Sequence, residues 1–303
     1  YQIDFNKPEH VHFIGIGGIS MSGLAEILMD EGFTVSGSDA HRSELTDNLE
    51  ARGAKVYIGQ KAENIQDGID VVVYTAAIHP DNPEFQEVKR SGIPMLTRAE
   101  LLGEMMRNYK NAIAIAGTHG KTTTTSMVTE IFLQAKNDPT ISVGGILPAI
   151  GGNIRVGKSD TFITEACEYT NSFLKFFPTI GIILNIEAEH LDFFHDLADV
   201  RHSFRRFAEL LPANGTLIIN ADIDNYKEIT DGLACRVLTY SVDDASADFT
   251  AADISYDELG CGEFTVVKSG VPGAHYKLNI VGKHNISNTL ASLALASLFD
   301  IPA

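Results

Sequence analysis

The sequence predicts an α/β fold built from two units in series, and three observations carry that prediction. Short apolar runs alternate with helix-compatible stretches from Val11 to Leu96 and again from Asn111 to Ile219. A glycine-rich turn, Gly15-Ile16-Gly17-Gly18-Ile19-Ser20, stands at the first strand-to-helix junction of the first series. A second, Gly117-Thr118-His119-Gly120-Lys121-Thr122-Thr123, stands at the same place in the second series. Such alternation implies parallel βαβ units, whose ligands gather outside the carboxyl ends of the strands. A Rossmann-like unit over residues 1–107 is therefore expected, followed by a mixed-sheet unit of the phosphate-loop ATPase kind over 108–303.

In chain order, Val11 to Gly15 reads as a buried strand. The helix after it carries Leu24, Ile27 and Leu28 on one face and ends near Gly32. Strands are expected at Thr34 to Ser38, Lys55 to Ile58, Asp70 to Thr75 and Ile93 to Leu96, with helices over Ser43 to Arg52 and Asn82 to Arg90. The second series has strands at Asn111 to Ala116, Thr161 to Thr164, Ile180 to Leu184 and Thr216 to Ile219, and a helix from Thr122 to Lys136. From about Ala234 to Ile280 the pattern turns strand-rich, and Glu263 to Val267 and Tyr276 to Ile280 alternate as antiparallel strands do. Asn285 to Phe299 reads as an Ala/Leu-rich closing helix.

Each glycine loop has its own chemistry. Around Lys121, glycines let backbone N–H groups and the helix N-terminus point at a phosphate. Lys121 reaches the terminal phosphates and the Thr122 hydroxyl ligates Mg2+, although Ile115 stands where a full phosphate-loop pattern has its first glycine. The turn around Gly15, Gly17 and Gly18, with Asp39 ending the next strand, has the layout of a dinucleotide fingerprint: close approach to a pyrophosphate, then a carboxylate for a ribose or base. Ser20 takes the third glycine's place, so either a dinucleotide or a pyrophosphate-bearing sugar nucleotide is compatible.

Glu165 follows one expected strand, and Asn185-Ile186-Glu187-Ala188-Glu189-His190 follows another. The carboxyl ends of such strands face the ligand crevice, so Glu165 and His190 are expected to converge on the phosphate loop and to share Mg2+ with Thr122. A lone acidic residue at a strand end is usually just solvated; the loop beside it makes the difference.

Bulk properties narrow the function. Hydrophobic residues make up 44% and charged residues 21%, which is ordinary for a globular protein. A net charge of −17 argues against a nucleic-acid binder. No apolar run approaches the roughly 20 residues of a membrane span, and no signal-peptide layout opens the chain. Cys167, Cys235 and Cys261 lie far apart with no C-x-x-C spacing, so they are expected to be packing residues of a cytoplasmic protein.

Taken together, HFIGIGGISMSGLAEIL (His12 to Leu28), SGSD (Ser36 to Asp39), AGTHGKTTTT (Ala116 to Thr125), EACEY (Glu165 to Tyr169), NIEAEHLD (Asn185 to Asp192) and GKHNISNTLAS (Gly282 to Ser292) resemble the Mur ligase family, from end to end of the chain. The resemblance implies ATP-dependent formation of an acyl phosphate on a carboxylate, which an amine then attacks, in peptidoglycan precursor synthesis. It implies a UDP-sugar site with Gly15, Gly17, Gly18 and Ser20 by the pyrophosphate and Asp39 by the uridine. It also implies an ATP site over Gly117 to Thr123, Mg2+ on Thr122, Glu165 and His190, and adenine beside His284, Asn285 and Asn288. Asn285 and Asn288 share one helix face; capping of that helix by Asn285 is the plain alternative.

Some positions depart from the family pattern. Glu189 and Cys167 stand where aspartate is usual and Ser20 where glycine is usual. No lysine occurs between Lys175 and Lys227, where sister ligases carry a carbamylated one. That favours the branch that joins L-alanine to UDP-N-acetylmuramate, or the relative that recycles a tripeptide onto the same sugar nucleotide; an NAD-dependent oxidoreductase built on the first loop is the reading of another class. The family's C-terminal amino-acid-binding domain has no counterpart before Ala303, so the chain by itself is expected to bind nucleotides without ligase turnover.

Overall fold

The structure, a computed structural model, describes residues Tyr1 to Ala303. The first sheet is formed by β1 (His10–Ile14), β2 (Thr34–Asp39), β3 (Lys55–Ile58), β4 (Val71–Tyr74) and β5 (Met95–Thr97), in the order β3-β2-β1-β4-β5, all parallel. Its helices are α1 (Ile19–Asp30), α2 (Glu44–Ala51), α3 (Pro83–Ser91) and α4 (Arg98–Met106). Ser43 and Thr97 open α2 and α4 with reciprocal capping boxes, and Asn82 caps α3 just before Pro83. Because the chain leaves β1 toward β2 on one side and reaches β4 on the other, the crevice at the end of β1 is the switch point of the sheet.

The second sheet has ten strands: β6 (Asn111–Ala116), β7 (Thr140–Leu147), β8 (Gly152–Arg155), β9 (Thr161–Ala166), β10 (Ile180–Ile183), β11 (Thr216–Asn220), β12 (Arg236–Ser241), β13 (Phe249–Tyr256), β14 (Cys261–Lys268) and β15 (Val271–Val281). Their order is β15-β14-β13-β12-β11-β10-β6-β9-β7-β8, parallel through the centre and antiparallel at β7–β8, β13–β14 and β14–β15. Helices α5 (Lys121–Gln134), α6 (Leu197–Glu209), α7 (Lys227–Thr230) and α8 (Lys283–Ser297) complete it. Here the switch point lies after β6, between β9 and β10.

One cluster of 40 buried apolar residues runs from Ile3, Val11 and Leu24 through Leu101 and Tyr109 to Phe162, Phe173 and Phe204, joining the two sheets' cores. A second, of 22, fills the α5–α8 side of the large sheet, and α5 and α8 pack together there. The junction depends on Gly103. A Cβ at that position would lie 2.0 Å from the Lys175 carbonyl oxygen, so glycine lets α4 rest on the backbone of 175–176.

Five elements add to the sequence reading, α7 among them. The β7–β8 ribbon, α4 and α6 were not anticipated, and the strand-rich tail resolves into β12 to β15. The ribbon's sequence, TISVGGIL, is interrupted by adjacent glycines, which blurs the strand pattern. Asp196 caps α6, and its Val200, Phe204, Phe207 and Ala208 are buried at helical spacing, so that signal is present in the sequence. The cysteine expectation fails at one position: Cys235 and Cys261 are buried, but Cys167, directly after β9, is exposed.

Candidate active site at two facing loops

At the end of β1, the N–H groups of Gly15 and Ile16 both donate to the Ser38 carbonyl, at 2.8 and 2.9 Å, strapping the loop to β2. Gly15 has φ +88°, which favours glycine. Asp39 Oδ2 accepts from Gly17 N at 2.9 Å, and a Cβ on Gly17 would meet that oxygen at 2.7 Å. The carboxylate therefore lies on the loop. Beside it opens a crevice of about 410 Å3 lined by Gly15, Gln60, Thr75 and Asn82, which Asp39 does not line. Gly18 precedes α1 with no side-chain cap and no acid in the first turn, leaving that helix end open to an anion. Arg98, which sequence reading passed over, donates to Ser20 Oγ at 3.1 Å. Burial pushes its guanidinium pKa down, and Cys167 of the second unit is its neighbouring ionisable group.

The second loop leaves β6 between β9 and β10, whose registers place Ile115 opposite Glu165 and Ala116 opposite Ile183. That register sets the three strand ends level. Gly117 and Gly120 have φ +155° and +84°. Gly120 opens α5 with neither a side-chain cap nor an acid in the first turn, as at α1. Lys121 folds back so that Nζ donates to the Gly117 carbonyl at 2.6 Å. Thr122 is exposed at the start of α5.

Residues 185–187 stitch this loop in place. Asn185 Oδ1 accepts from His119 N at 2.8 Å while its Nδ2 donates to His119 O at 2.9 Å. Glu187 N donates to Thr118 Oγ1 at 2.9 Å, and His119 Nε2 pairs with Glu187 at 3.0 Å. Asn185 opens the NIEAEHLD motif directly after the expected strand Ile180 to Leu184, and those two placements are its signal in the sequence.

The acidic cluster comes from β9, the segment after it and the loop after β10. Glu165 lies within β9, and its Oε1 is buried without a hydrogen-bond partner. His190 adopts φ +56°, an uncommon value for a non-glycine residue, and its ring meets Tyr169 edge to face at 4.7 Å. Tyr169 in turn donates its hydroxyl to Asp192, which raises the Tyr169 pKa. The carboxylate within ion-pair distance of His190 is Glu168, at 3.6 Å from Nε2, rather than Glu165. Glu168 is also 3.6 Å from Lys121 Nζ. Glu168 lies within the EACEY motif, whose pattern alone assigns it no role.

No three His, Cys, Asp or Glu side chains stand close enough to chelate a metal unaided. A Mg2+ ion that takes most of its ligands from phosphate and water needs less than that. The orphaned buried oxygen of Glu165 is suited to such an ion, so the residues present fit one.

On α8, Gly282 is the N-cap and Asn285 lies inside the helix, with Nδ2 donating to the Val281 carbonyl at 2.8 Å; capping by Asn285 is thus excluded. Asn288 Nδ2 donates to Asn285 Oδ1 at 3.2 Å, so the two amides share a face. A Cβ on Gly120 would lie 3.2 Å from Asn288 Oδ1, so this face abuts the phosphate loop. His284 Nε2 lies 3.3 Å from Asn285 Nδ2.

Two family models match the chain: "Mur ligase family, catalytic domain" over residues 10–110 and "Mur ligase middle domain" over residues 115–296. The UDP-N-acetylmuramate--L-alanine ligase of Agathobacter rectalis is 61% identical over 99% of this chain and 65% of its own length. That of Caldanaerobacter subterraneus is 52% identical over 99% of this chain and 65% of its own length. The chain thus spans about 65% of the length of these relatives. Among solved structures, the UDP-N-acetylmuramate:L-alanyl-gamma-D-glutamyl-meso-diaminopimelate ligase of Neisseria meningitides superposes with TM-score 0.84 at 28% identity, covering 97% of this chain and 95% of that one. The UDP-N-acetylmuramate-alanine ligase of Thermotoga maritima gives 0.76 at 28% identity, covering 96% and 65%. With one family model spanning more than half of the sequence and the two glycine loops set as described, the chain belongs to the Mur ligase family.

Proposed function

We propose that this chain carries the nucleotide sites of an ATP-dependent ligase that joins L-alanine to UDP-N-acetylmuramate in peptidoglycan precursor synthesis. One observation supports it above the others: neighbouring residues serve both loops. Cys167 contributes electrostatically to Arg98, which donates to Ser20 of the first loop, and the next residue, Glu168, is 3.6 Å from Lys121 at the second. An anionic substrate on the first loop and a nucleotide phosphate on the second therefore meet at one segment.

In this reading residues 1–107 bind the UDP-sugar and residues 108–303 bind ATP. The open end of α1, with the N–H groups around Gly17 and Gly18, takes the diphosphate, and Arg98 offers a guanidinium to a further anionic group. Asp39 orients the loop through Gly17 and presents its remaining acceptor capacity to the uridine side. Residues Gly117 to Thr123 take the ATP phosphates, while His284, Asn285 and Asn288 border the adenine.

Phosphoryl transfer to a carboxylate brings two anions together, so Lys121 has to leave the Gly117 carbonyl and neutralise the terminal phosphates. Thr122, Glu165 and His190 would hold Mg2+, which adds positive charge at the same phosphates. The carboxylate oxygen attacks phosphorus, and the amine of L-alanine then attacks the acyl phosphate. No protein nucleophile is needed. We read the enzyme as cytoplasmic, in keeping with its nucleotide substrates; no helix is long and apolar enough to cross a membrane.

The TM-score of 0.84 to the Neisseria enzyme favours one rival, a ligase that adds a peptide to the same sugar nucleotide. Identity of 61% to an alanine-adding relative over 99% of the chain supports the alanine-adding reading. The test is calorimetric titration of the chain with UDP-N-acetylmuramate, Mg-ATP and NAD in turn. Binding of the first two without the third is expected; NAD binding without ATP binding would sink the ligase reading. Mass spectrometry of products formed by the native protein with L-alanine or the tripeptide then separates the two ligases.

A further inference from the structure

The side chain of Glu168 is 1% exposed, and neither of its carboxylate oxygens has a hydrogen-bond partner. A buried carboxylate in that state is costly unless opposite charge lies close by. Two such groups do: Lys121 Nζ stands 3.6 Å from Oε2, and His190 Nε2 stands 3.6 Å from Oε1. The lysine comes from the first residue of α5 and the histidine from the loop after β10, so neither is tied to the other by sequence.

Glu168 itself is held from behind. Asn171 N donates to its carbonyl at 2.9 Å within a turn where Thr170 and Asn171 take positive φ values of 55° and 58°. Asn171 Oδ1 accepts from Ser203 Oγ on α6 at 2.6 Å, and Phe173 stacks on Phe207 with ring centroids 4.8 Å apart. The residues after Glu168 are thus anchored to a core helix, whereas Lys121 and His190 occupy the partly exposed face of the site.

We propose that Glu168 is a positioning residue for nucleotide binding, its two oxygens setting the separation of Lys121 and His190 and so the span into which phosphates and cation must fit. This rests on the ATP-site reading given above. The Lys121 ammonium is held by both the Gly117 carbonyl, at 2.6 Å, and Glu168, at 3.6 Å.

Coulomb's law makes the proposal testable, because a bystander carboxylate has the opposite effect. Within 4 Å of a phosphate-binding lysine, a negative charge that does nothing else repels ATP, so its neutralisation tightens binding. A positioning carboxylate, once neutralised, loosens binding because Lys121 and His190 lose their common anchor. The experiment is calorimetry of Mg-ADP with the whole chain, comparing wild type, Glu168→Gln, Glu168→Asp, Lys121→Met and the Glu168→Gln/Lys121→Met double variant. Thermal unfolding of each controls for folding.

The expected result is an affinity loss of tenfold or more for Glu168→Gln at near-native melting temperature, part of which Glu168→Asp restores. In the Lys121→Met background the same Glu168→Gln change is expected to cost less than half of that factor on a logarithmic scale, since part of its action runs through the lysine. Unchanged or tighter Mg-ADP binding by Glu168→Gln overturns the proposal, as does full additivity in the double variant. If Glu168→Gln unfolds, the Glu168→Asp and Lys121→Met arms decide alone: a Glu168→Asp protein that binds like wild type overturns it. Failure of the wild type to bind Mg-ADP is a separate outcome, which refutes the ATP-site reading and this proposal with it.

Discussion

Lys121 shows what a single residue contributes and how much of it was legible. Its place after Gly120 was readable because glycine, lysine and threonine at a strand–helix junction have a phosphate-binding logic of their own. Its contacts were not, since both partners come from the folded chain: the Gly117 carbonyl and Glu168. Lys121→Met keeps the stem and removes the charge, so the fold should survive while Mg-ATP affinity falls by about 1.5–3 kcal/mol, the worth of a charge-assisted hydrogen bond. Equal affinity by calorimetry would refute its role. Asn185 opens the NIEAEHLD motif, which by itself gives it no role, yet it bonds both the N–H and the carbonyl of His119. Asn185→Ala removes both bonds at a cost of about 1 kcal/mol each. Faster amide exchange at Thr118 and His119, with little change in the exchange of β11 and β12, is the expected reading.

At the scale of elements, the parallel strands were legible because each is a short apolar run bounded by turn residues, as in Asn111 to Ala116 and Ile180 to Ile183. What hid the rest was partnership between distant segments. Helix α4 buries Leu101, Leu102 and Met105, but the surface it covers, residues 169–175, is far away in sequence and irregular in backbone. Gly103 makes that contact possible, and Gly103→Ala would set a methyl group against the Lys175 carbonyl. Such overpacking costs about 1–3 kcal/mol. Gly145, by contrast, has nothing within 4 Å of an added Cβ and no positive φ, so Gly145→Ala should stay within about 0.5 kcal/mol of wild type. Urea unfolding of the pair distinguishes packing at the junction from a general intolerance of added methyl groups; similar costs at both positions would refute the role given to Gly103.

On the scale of the whole molecule, two sheets with separate ligand crevices share one apolar cluster, and this combination sets how ligand binding at one end is felt at the other. A ligand that binds only the folded state stabilises it by about 2.7 kcal/mol at a hundred times its dissociation constant. Because Val11 and Leu24 of the first unit and Phe162 and Phe204 of the second lie in the same cluster, the chain should unfold in one transition that either nucleotide raises. The Asp39 carboxylate accepts from Gly17 N in the first loop and from His41 N just after β2, so Asp39→Ala frees both N–H groups and loosens the first unit. The variant should lose most of the thermal shift produced by UDP-N-acetylmuramate and keep the shift produced by Mg-ATP, since the Asp39 carboxylate bonds no residue of the second unit. Differential scanning calorimetry with each ligand reads both effects at once. Two resolved transitions in the unliganded wild type would show that the shared cluster does not couple the units, and loss of the Mg-ATP shift in Asp39→Ala would show that the carboxylate serves the second crevice rather than the first.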